Sequence, residues 1–202
     1  MKILKKPLLK FLSYTIIILV VKNPIVYADE PDNQEEQDTP IAKVLSVATG
    51  DWNEDERIDS AVLMKTNEIV ELYLYLNNKE NEQELVLHKK DVVWSGAMEG
   101  TEPYLKPKNK SASLFIHSEN DSIGRNRWHQ RLTISYRDEA FIVTGYTYDD
   151  RDTLDPQKGF SCDVNLVTGK GFKDKKEFKI AGQKIKLEDW TQEHIPKQCI
   201  AE

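Results

Sequence analysis

The sequence predicts an all-β protein made of antiparallel sheets, folded as a single sandwich-like or partial-propeller-like domain. Apolar and polar residues alternate along most of the chain after residue 40, which is the pattern of strands with one buried face. Turn signals recur every 8 to 12 residues or so, and no segment keeps a helical apolar stripe over three turns. Many short strands without long helices are typical of antiparallel sheets that fold or close on themselves.

The individual strands are predicted from local alternation and from β-branched or aromatic content. The best hairpin joins residues 131–136 to residues 140–148 across the charged turn at Arg137, Asp138 and Glu139. Residues 95–110 hold two glycines and two prolines and are predicted to be a long connection where two sheet halves meet. The other strand candidates are residues 42–49, 60–65, 70–76, 84–94, 111–117, 162–167, 172–180 and 185–187, with single helical turns near residues 91–94 and 188–192.

The first 28 residues have the pattern of a secretory signal peptide. Four lysines precede the apolar run Phe11 to Val21, and small or apolar residues stand before Asp29, where we expect cleavage. The run is too short to span a membrane, so no stable membrane anchor is expected after cleavage. Residues 29–39 are acidic and almost free of apolar side chains, so we expect a disordered leader before a single β-rich domain at 40–202. These features predict a bacterial protein of the periplasm or one that is secreted.

The charge balance disfavours two classes of partner. The chain has a formal net charge of −6, and 28 basic residues fall to 23 against 34 acidic ones, or −11, once the five lysines of residues 1–28 are removed. Nucleic-acid binding depends on clustered Lys and Arg, so nucleic acid is not expected as a partner. An anionic membrane surface is disfavoured for the same reason.

The two cysteines, Cys162 and Cys199, are the only ones in the chain. An even number of cysteines in an exported protein favours a disulfide, while free thiols or a metal pair are the alternatives. In the chain-entropy model, closing a loop of this length stabilises the fold by about 4 kcal/mol.

A candidate ion loop follows the first strand. Oxygen-bearing side chains stand at loop positions 1, 3, 5 and 9, and the backbone carbonyl of the residue at position 7 is also available. Alternate oxygens converge when such a loop curls, which suits a hard cation such as Ca²⁺. The five residues are Asp51, Asn53, Asp55, Arg57 and Asp59.

This stretch resembles one FG-GAP/VCBS-type repeat over residues 44–66. In that family, Gly-Asp-Phe-Asn-Gly-Asp-Gly followed by Asp and an apolar strand forms a calcium loop between two strands of a propeller blade. The resemblance implies calcium ligation by the five residues, with Arg57 acting through its carbonyl. Glu54 and Glu56 stand where the family has glycine. Either Glu56 adopts an unfavourable conformation, or the loop opens and the Arg57 guanidinium replaces the ion by pairing with a loop carboxylate.

A second candidate site is the cluster Arg125, Arg127, Trp128 and His129. Trp128 can stack on a sugar and the arginines can pair with a carboxylate or a phosphate, which predicts a ligand-binding surface. The alternative is that Trp128 lies in the core and the arginines pair with nearby acids such as Asp121 or Asp138. Residues 118–171 are also similar to a stretch in small exported bacterial proteins of unassigned activity, a resemblance that supplies no site residues.

The leading functional hypothesis is an exported, non-enzymatic β domain that binds a protein or glycan partner, or that belongs to the cell envelope. The alternative is a carbohydrate-active hydrolase that uses acids of the predicted loop at residues 149–155, since glycosidases need two carboxylates. Histidine pairs typical of zinc sites, a phosphate-binding loop and a Gly-x-Ser-x-Gly motif are missing from the sequence. No catalytic residue is therefore predicted, and Ca²⁺ is the one cofactor considered.

Overall fold

The computed structural model describes residues 42–108, 111–155 and 157–200, and it is all-β as predicted. Its strands form two antiparallel sheets, one of four strands and one of eight. The two sheets share one hydrophobic core, and the backbone N–H of Leu105 in the second sheet donates to the Ser46 hydroxyl in the first, at 3.0 Å.

The four-stranded sheet has its strands in sequence order. Ala61, Leu63, Leu72 and Leu74 alternate with more exposed residues and are fully buried on its inner face. The strands are β1 (Ala42–Gly50), β2 (Asp59–Thr66), β3 (Ile69–Asn77) and β4 (Gln83–Lys90).

The eight-stranded sheet is built around the predicted hairpin. The strands are β5 (Tyr104–Pro107), β6 (Ser113–Asn120), β7 (Asn126–Arg137), β8 (Ala140–Asp152), β9 (Ser161–Asn165), β10 (Lys170–Lys173), β11 (Lys176–Lys179) and β12 (Ile185–Lys186). The long strands β7 and β8 are joined at Asp138 and Glu139, which both adopt a positive φ (52° and 60°), as a tight two-residue turn requires. The spatial order is β11-β10-β9-β8-β7-β6-β5, and the short β12 pairs with the start of β8.

Several predicted boundaries are wrong. Residues 95–110 are not one connection, because they contain β5, a four-residue edge strand too short to show alternation. Residues 172–180 are two strands rather than one, since Asp174 and Lys175 form a two-residue turn with positive φ. The strand predicted at 84–94 ends at Lys90, and residues 91–94 form no helical turn.

The C-terminal segment crosses the inner face of the eight-stranded sheet. It consists of three 3₁₀ turns, Leu187–Asp189, Gln192–His194 and Lys197–Cys199. Leu187 and Trp190 are buried in the core, and the Trp190 ring lies 6.4 Å from the ring of Tyr146 on β8. The predicted disulfide is confirmed: Cys162 on β9 is bonded to Cys199 in the last turn, with a Cα–Cα distance of 5.3 Å.

The predicted signal peptide (1–28) and acidic leader (29–39) lie outside the described residues. Within the part of the chain that the structure describes, no helix is both long and apolar enough to cross a membrane. The disulfide is compatible with an oxidising compartment.

Candidate ligand-binding cleft and the predicted ion loop

The predicted ion loop joins β1 to β2, and its carboxylates accept hydrogen bonds from the loop itself. Asp51 accepts the backbone N–H groups of Asp55 and Glu56, both at 2.9 Å. Asp55 accepts the Arg57 backbone N–H at 3.0 Å and the Asn53 side-chain amide at 2.8 Å. The Arg57 guanidinium is paired with the same Asp55 carboxylate. The Asp55 carboxylate, which a bound cation would need as a ligand, is therefore already paired with Arg57.

Glu54 and Glu56 have φ values of 61° and 69°. These values lie in the left-handed region that favours glycine, and the two residues stand where the resembled family has glycine. Each non-glycine residue in that region costs about 1 kcal/mol or more. The expectation that Glu56 adopts an unfavourable conformation is confirmed, and the tight curl of the loop is kept without glycine.

Asp59 differs from the other acids of the loop because it is completely buried. Its carboxylate accepts the backbone N–H groups of Trp52 at 2.7 Å and Asn77 at 2.9 Å. Burial raises the pKa of Asp59, and these two hydrogen bonds oppose the rise. Asp59 thus ties the loop to the end of β3.

The fit of this loop to a calcium ion depends on Arg57. Asn53 keeps a buried Oδ1 with no partner among the described residues, which is an oxygen that an ion could use. Asp51 and Asp55 are already hydrogen-bonded, and the described residues contain no group of three or more Cys, His, Asp or Glu side chains placed to hold a metal. The loop fits an ion only after the Arg57 guanidinium leaves Asp55.

The cluster at Arg125 to His129 does not form one surface. Residues 126–137 are strand β7, so neighbouring side chains point to opposite faces of the sheet. Arg127 and His129 lie on the outer face, where His129 is 3.0 Å from Asp121. Trp128 lies on the inner face, which carries the core.

Arg125 precedes β7 and is bound to the end of β8. Its Nε and Nη2 atoms each lie 2.6 Å from one oxygen of Asp152, so the ion pair is bidentate. The hydrogen bond from Arg125 is the largest influence on this carboxylate and lowers the pKa of Asp152 to about 2.

The acids predicted to lie in a loop at 149–155 are mostly in β8, which extends to Asp152. Alternation places Asp149 on the outer face and Asp150 on the inner face. Asp150 accepts the Phe160 backbone N–H at 3.1 Å, and Asp155 lies 3.4 Å from Lys158. The adjacent acids Asp149 and Asp150 thus lie on opposite faces of the sheet, and Asp150, Asp152 and Asp155 are engaged with other groups.

The inner face around Trp128 carries a row of aromatic rings at the end of the sheet. The ring of Trp128 lies 5.2 Å from that of Trp94 and 6.2 Å from that of Tyr148. Tyr148 in turn lies 5.5 Å from Phe160. Trp94 is 40% exposed and Trp128 is half-buried, so both rings reach the surface.

Two adjoining cavities of about 400 and 210 Å³ open along this row, and we call them together the tail cleft. They share Gln130, Gln192 and Ile195, so the C-terminal segment forms one wall and β7 the other. The side-chain amides of Gln130 and Gln192 make no hydrogen bond to any residue in the described ranges. The further lining residues are Lys89, Lys90, Asp91, Val92, Val93, Trp94, Trp128, Tyr146, Tyr148, Trp190, Thr191, Cys199 and Ile200.

Of the residues that the sequence predicted to bind a ligand, Trp128 alone lines this cleft, and it was grouped with side chains that lie elsewhere. The other walls come from Trp94 before β5 and from residues 190–200, which are distant in sequence. The available signal was the alternation of Trp128, Gln130 and Leu132, which places Trp128 on the apolar side of its strand.

Comparison with known proteins does not identify a family for this chain. No family model matches the chain, and no curated protein or solved structure shows significant similarity to it. The resemblance of residues 44–66 to an FG-GAP/VCBS-type repeat stays a prediction.

Proposed function

We propose that this chain is an exported, non-enzymatic binding module that holds a segment of a neutral saccharide in the tail cleft. The observation that carries the proposal is the pairing of two surface-reaching tryptophans, Trp94 and Trp128, with two side-chain amides that have no partner within the described ranges, Gln130 and Gln192. Export rests on the predicted signal peptide and fits the disulfide.

The chemistry of the cleft suits a sugar better than a purely apolar ligand. The C–H face of a pyranose ring packs on an indole or phenol ring, which supplies a large apolar contact. Each glutamine amide offers both donors and an acceptor, and a sugar hydroxyl can satisfy either. A mostly apolar pocket with a few convergent polar groups is the usual composition of a small-molecule site, and the volume of the larger cavity lies in the usual range.

The wall formed by the C-terminal segment gives the disulfide a role in binding. Cys199 itself lines the larger cavity, together with Ile195 and Ile200. The bond to Cys162 fixes this segment to β9, so it limits the number of conformations the wall can adopt. The ion loop contributes no lining residue, so calcium binding there would act on stability rather than on sugar contact.

Isothermal titration calorimetry with a panel of neutral hexasaccharides tests the proposal. The panel consists of β-1,4-linked glucose, β-1,3-linked glucose, β-1,4-linked N-acetylglucosamine and α-linked mannose oligomers. At least one is expected to bind, and Trp128→Ala is expected to weaken that binding about tenfold or more, because one stacking platform is lost.

Phe172→Ala is the matched control, since Phe172 is an aromatic residue, 52% exposed, on the opposite face of the same sheet. The Phe172→Ala variant is expected to bind the hexasaccharide with the same affinity as the wild type. Failure of the wild type to bind any hexasaccharide, or full affinity in Trp128→Ala, would contradict the proposal.

A further inference from the structure

The outer face of the eight-stranded sheet carries a second cavity that the tail cleft does not use. It has a volume of about 470 Å³ and lies on the side opposite the core, and we call it the outer groove. Arg131, Thr133, Ser135 and Arg137 alternate along β7 and all face it. Arg131 and Arg137 are six positions apart on the strand, which places their backbones about 20 Å apart. The groove therefore has a cation at each end and hydroxyls between them.

The floor of the outer groove is a chain of buried hydroxyls. Ser135 lies between Ser113 at 2.9 Å and Thr144 at 3.3 Å. The three residues are less than 9% exposed, which is unusual for polar side chains on an outer sheet face. A chain of hydroxyls can reverse the direction of its hydrogen bonds, so it can offer a ligand either a donor or an acceptor.

Gly145 leaves space in this floor. It is not among the glycines with positive φ, so its backbone does not require glycine. A Cβ placed there would stand 3.2 Å from the Thr133 hydroxyl and 3.4 Å from the Val164 carbonyl oxygen. Because Gly145 has no side chain, the groove stays open between β7 and β9.

The charge of the outer groove is opposite to that of the chain. Lys108, Arg131 and Arg137 line it with one acid, Asp163, so the lining carries +2 while the whole chain carries −6. Lys108 and Arg137 take part in no ion pair among the described residues. Unpaired cations gathered on an acidic protein attract an anionic ligand.

Arg131 is held in position to meet such a ligand. Its guanidinium lies 4.7 Å from the centre of the Phe115 ring and stacks on it. Its hydrogen bonds to Thr147 at 2.8 Å and to Asp163 at 3.4 Å both use Nη2. Nη1 makes no hydrogen bond to any residue in the described ranges, so it remains available to a ligand oxygen.

We infer that the outer groove binds an acidic sugar, a polyhydroxylated ligand that carries a carboxylate or a phosphate. The cations recognise the oxyanion through charge-assisted hydrogen bonds, and the floor and wall hydroxyls recognise the sugar hydroxyls. This inference is independent of the tail cleft, because the two sites lie on opposite faces of the sheet and share only Tyr146, on the strand between them.

Calorimetric titration of the full domain at low salt tests the inference with three probes. Trigalacturonate carries carboxylates, glucose 6-phosphate carries a phosphate, and maltotriose is neutral. At least one of the two acidic probes is expected to bind, and the tighter-binding one identifies the oxyanion. Maltotriose carries no oxyanion, so any heat it gives is expected to be the same in the wild type and in Arg137→Gln. Arg137→Gln and Lys108→Gln are expected to weaken acidic-sugar binding about tenfold each, since each removes a charge-assisted hydrogen bond.

Lys179→Gln, an exposed cation on β11 outside the groove, is the control for general charge and is expected to keep full affinity. Three outcomes would overturn the inference. The first is no binding of either acidic probe by the wild type, and the second is an equal loss in Lys179→Gln and Arg137→Gln. The third is acidic-sugar binding that Trp128→Ala abolishes and Arg137→Gln leaves unchanged, which would place the ligand in the tail cleft.

Discussion

Removing the disulfide tests how the C-terminal segment is held. The bond joins residues separated by 37 positions, and both cysteines are 2% exposed. In the chain-entropy model, a loop of that length contributes about 4 kcal/mol by restricting the unfolded chain. For a domain of this size, 1 kcal/mol corresponds to about 2–4 °C in the unfolding midpoint, so the double variant Cys162→Ala/Cys199→Ala is expected to melt about 8–16 °C lower.

Differential scanning calorimetry of the oxidised wild type and the double variant measures this difference. A reducing agent is expected to lower the midpoint of the wild type and to leave that of the double variant unchanged, which separates the bond from other effects of the reagent. Saccharide affinity at the tail cleft is expected to fall in the double variant, because Cys199 and Ile200 form part of its wall. A midpoint within about 3 °C of the wild type would refute the reasoning, since packing of Trp190 and Leu187 alone would then hold the segment.

Three further predictions concern the ion loop and the β7–β8 end. Glu56→Gly is expected to raise the free energy of unfolding by about 1 kcal/mol, because it relieves a positive φ of 69° at the cost of extra freedom in the unfolded chain. Arg57→Ala is expected to increase the stabilisation by excess Ca²⁺, up to about 2.7 kcal/mol at 100 times the dissociation constant, because Asp55 then loses its competing partner. Arg125→Gln is expected to lower stability at neutral pH. The folded pKa of Asp152, about 2, lies below the ordinary aspartate value of 3.8, so the stabilisation is full above that ordinary value and is lost as the pH falls through about 2.

The controls for these predictions follow from the same residues. Glu80→Gly removes an exposed glutamate that is not among the residues with positive φ, so it is expected to destabilise rather than stabilise, and an equal gain would contradict the strain argument. Adding Asp55→Ala to Arg57→Ala is expected to remove the calcium effect, and a melting temperature that ignores calcium in every variant would exclude an ion site. Chemical denaturation from pH 7 to pH 2 measures the third prediction, and a stability difference as large at pH 2 as at pH 7 would contradict it.

The fold was predictable because its signal is local. The alternation of Leu72 and Leu74 with Tyr73 and Tyr75, and the β-rich hairpin around Asp138, depend on neighbouring residues only. The strands that escaped prediction are those with weak local signals. β5 has four residues and ends at Pro107, and the turn between β10 and β11 is Asp174-Lys175, which lacks the glycine that usually marks such a hairpin.

The ligand-binding residues were less predictable because they are brought together by tertiary structure. The pairing of Arg57 with Asp55 was foreseeable, since the two residues are only two positions apart in the chain. Trp94 reaches Trp128 because the segment after β4 packs against β6, where the Ser118 hydroxyl donates to the Trp94 carbonyl. Gln192 reaches the cleft only after the C-terminal segment has folded across the sheet, and the alternation of β7 places Arg127 on the other face. Because residues 125–129 are adjacent in sequence, they were predicted to form one surface. In the strand, neighbouring side chains alternate between two faces of the sheet.

The most direct test of saccharide binding uses the four tryptophans of the chain as reporters. A ¹H–¹⁵N spectrum resolves their indole N–H groups, and the strongest-binding hexasaccharide is added stepwise. Binding in the tail cleft predicts that the Trp94 and Trp128 signals shift, while the signal of Trp52, a buried residue of the ion loop, does not. Saturating saccharide that leaves Trp94 and Trp128 unmoved, or that shifts Trp52 equally, would contradict the proposed site.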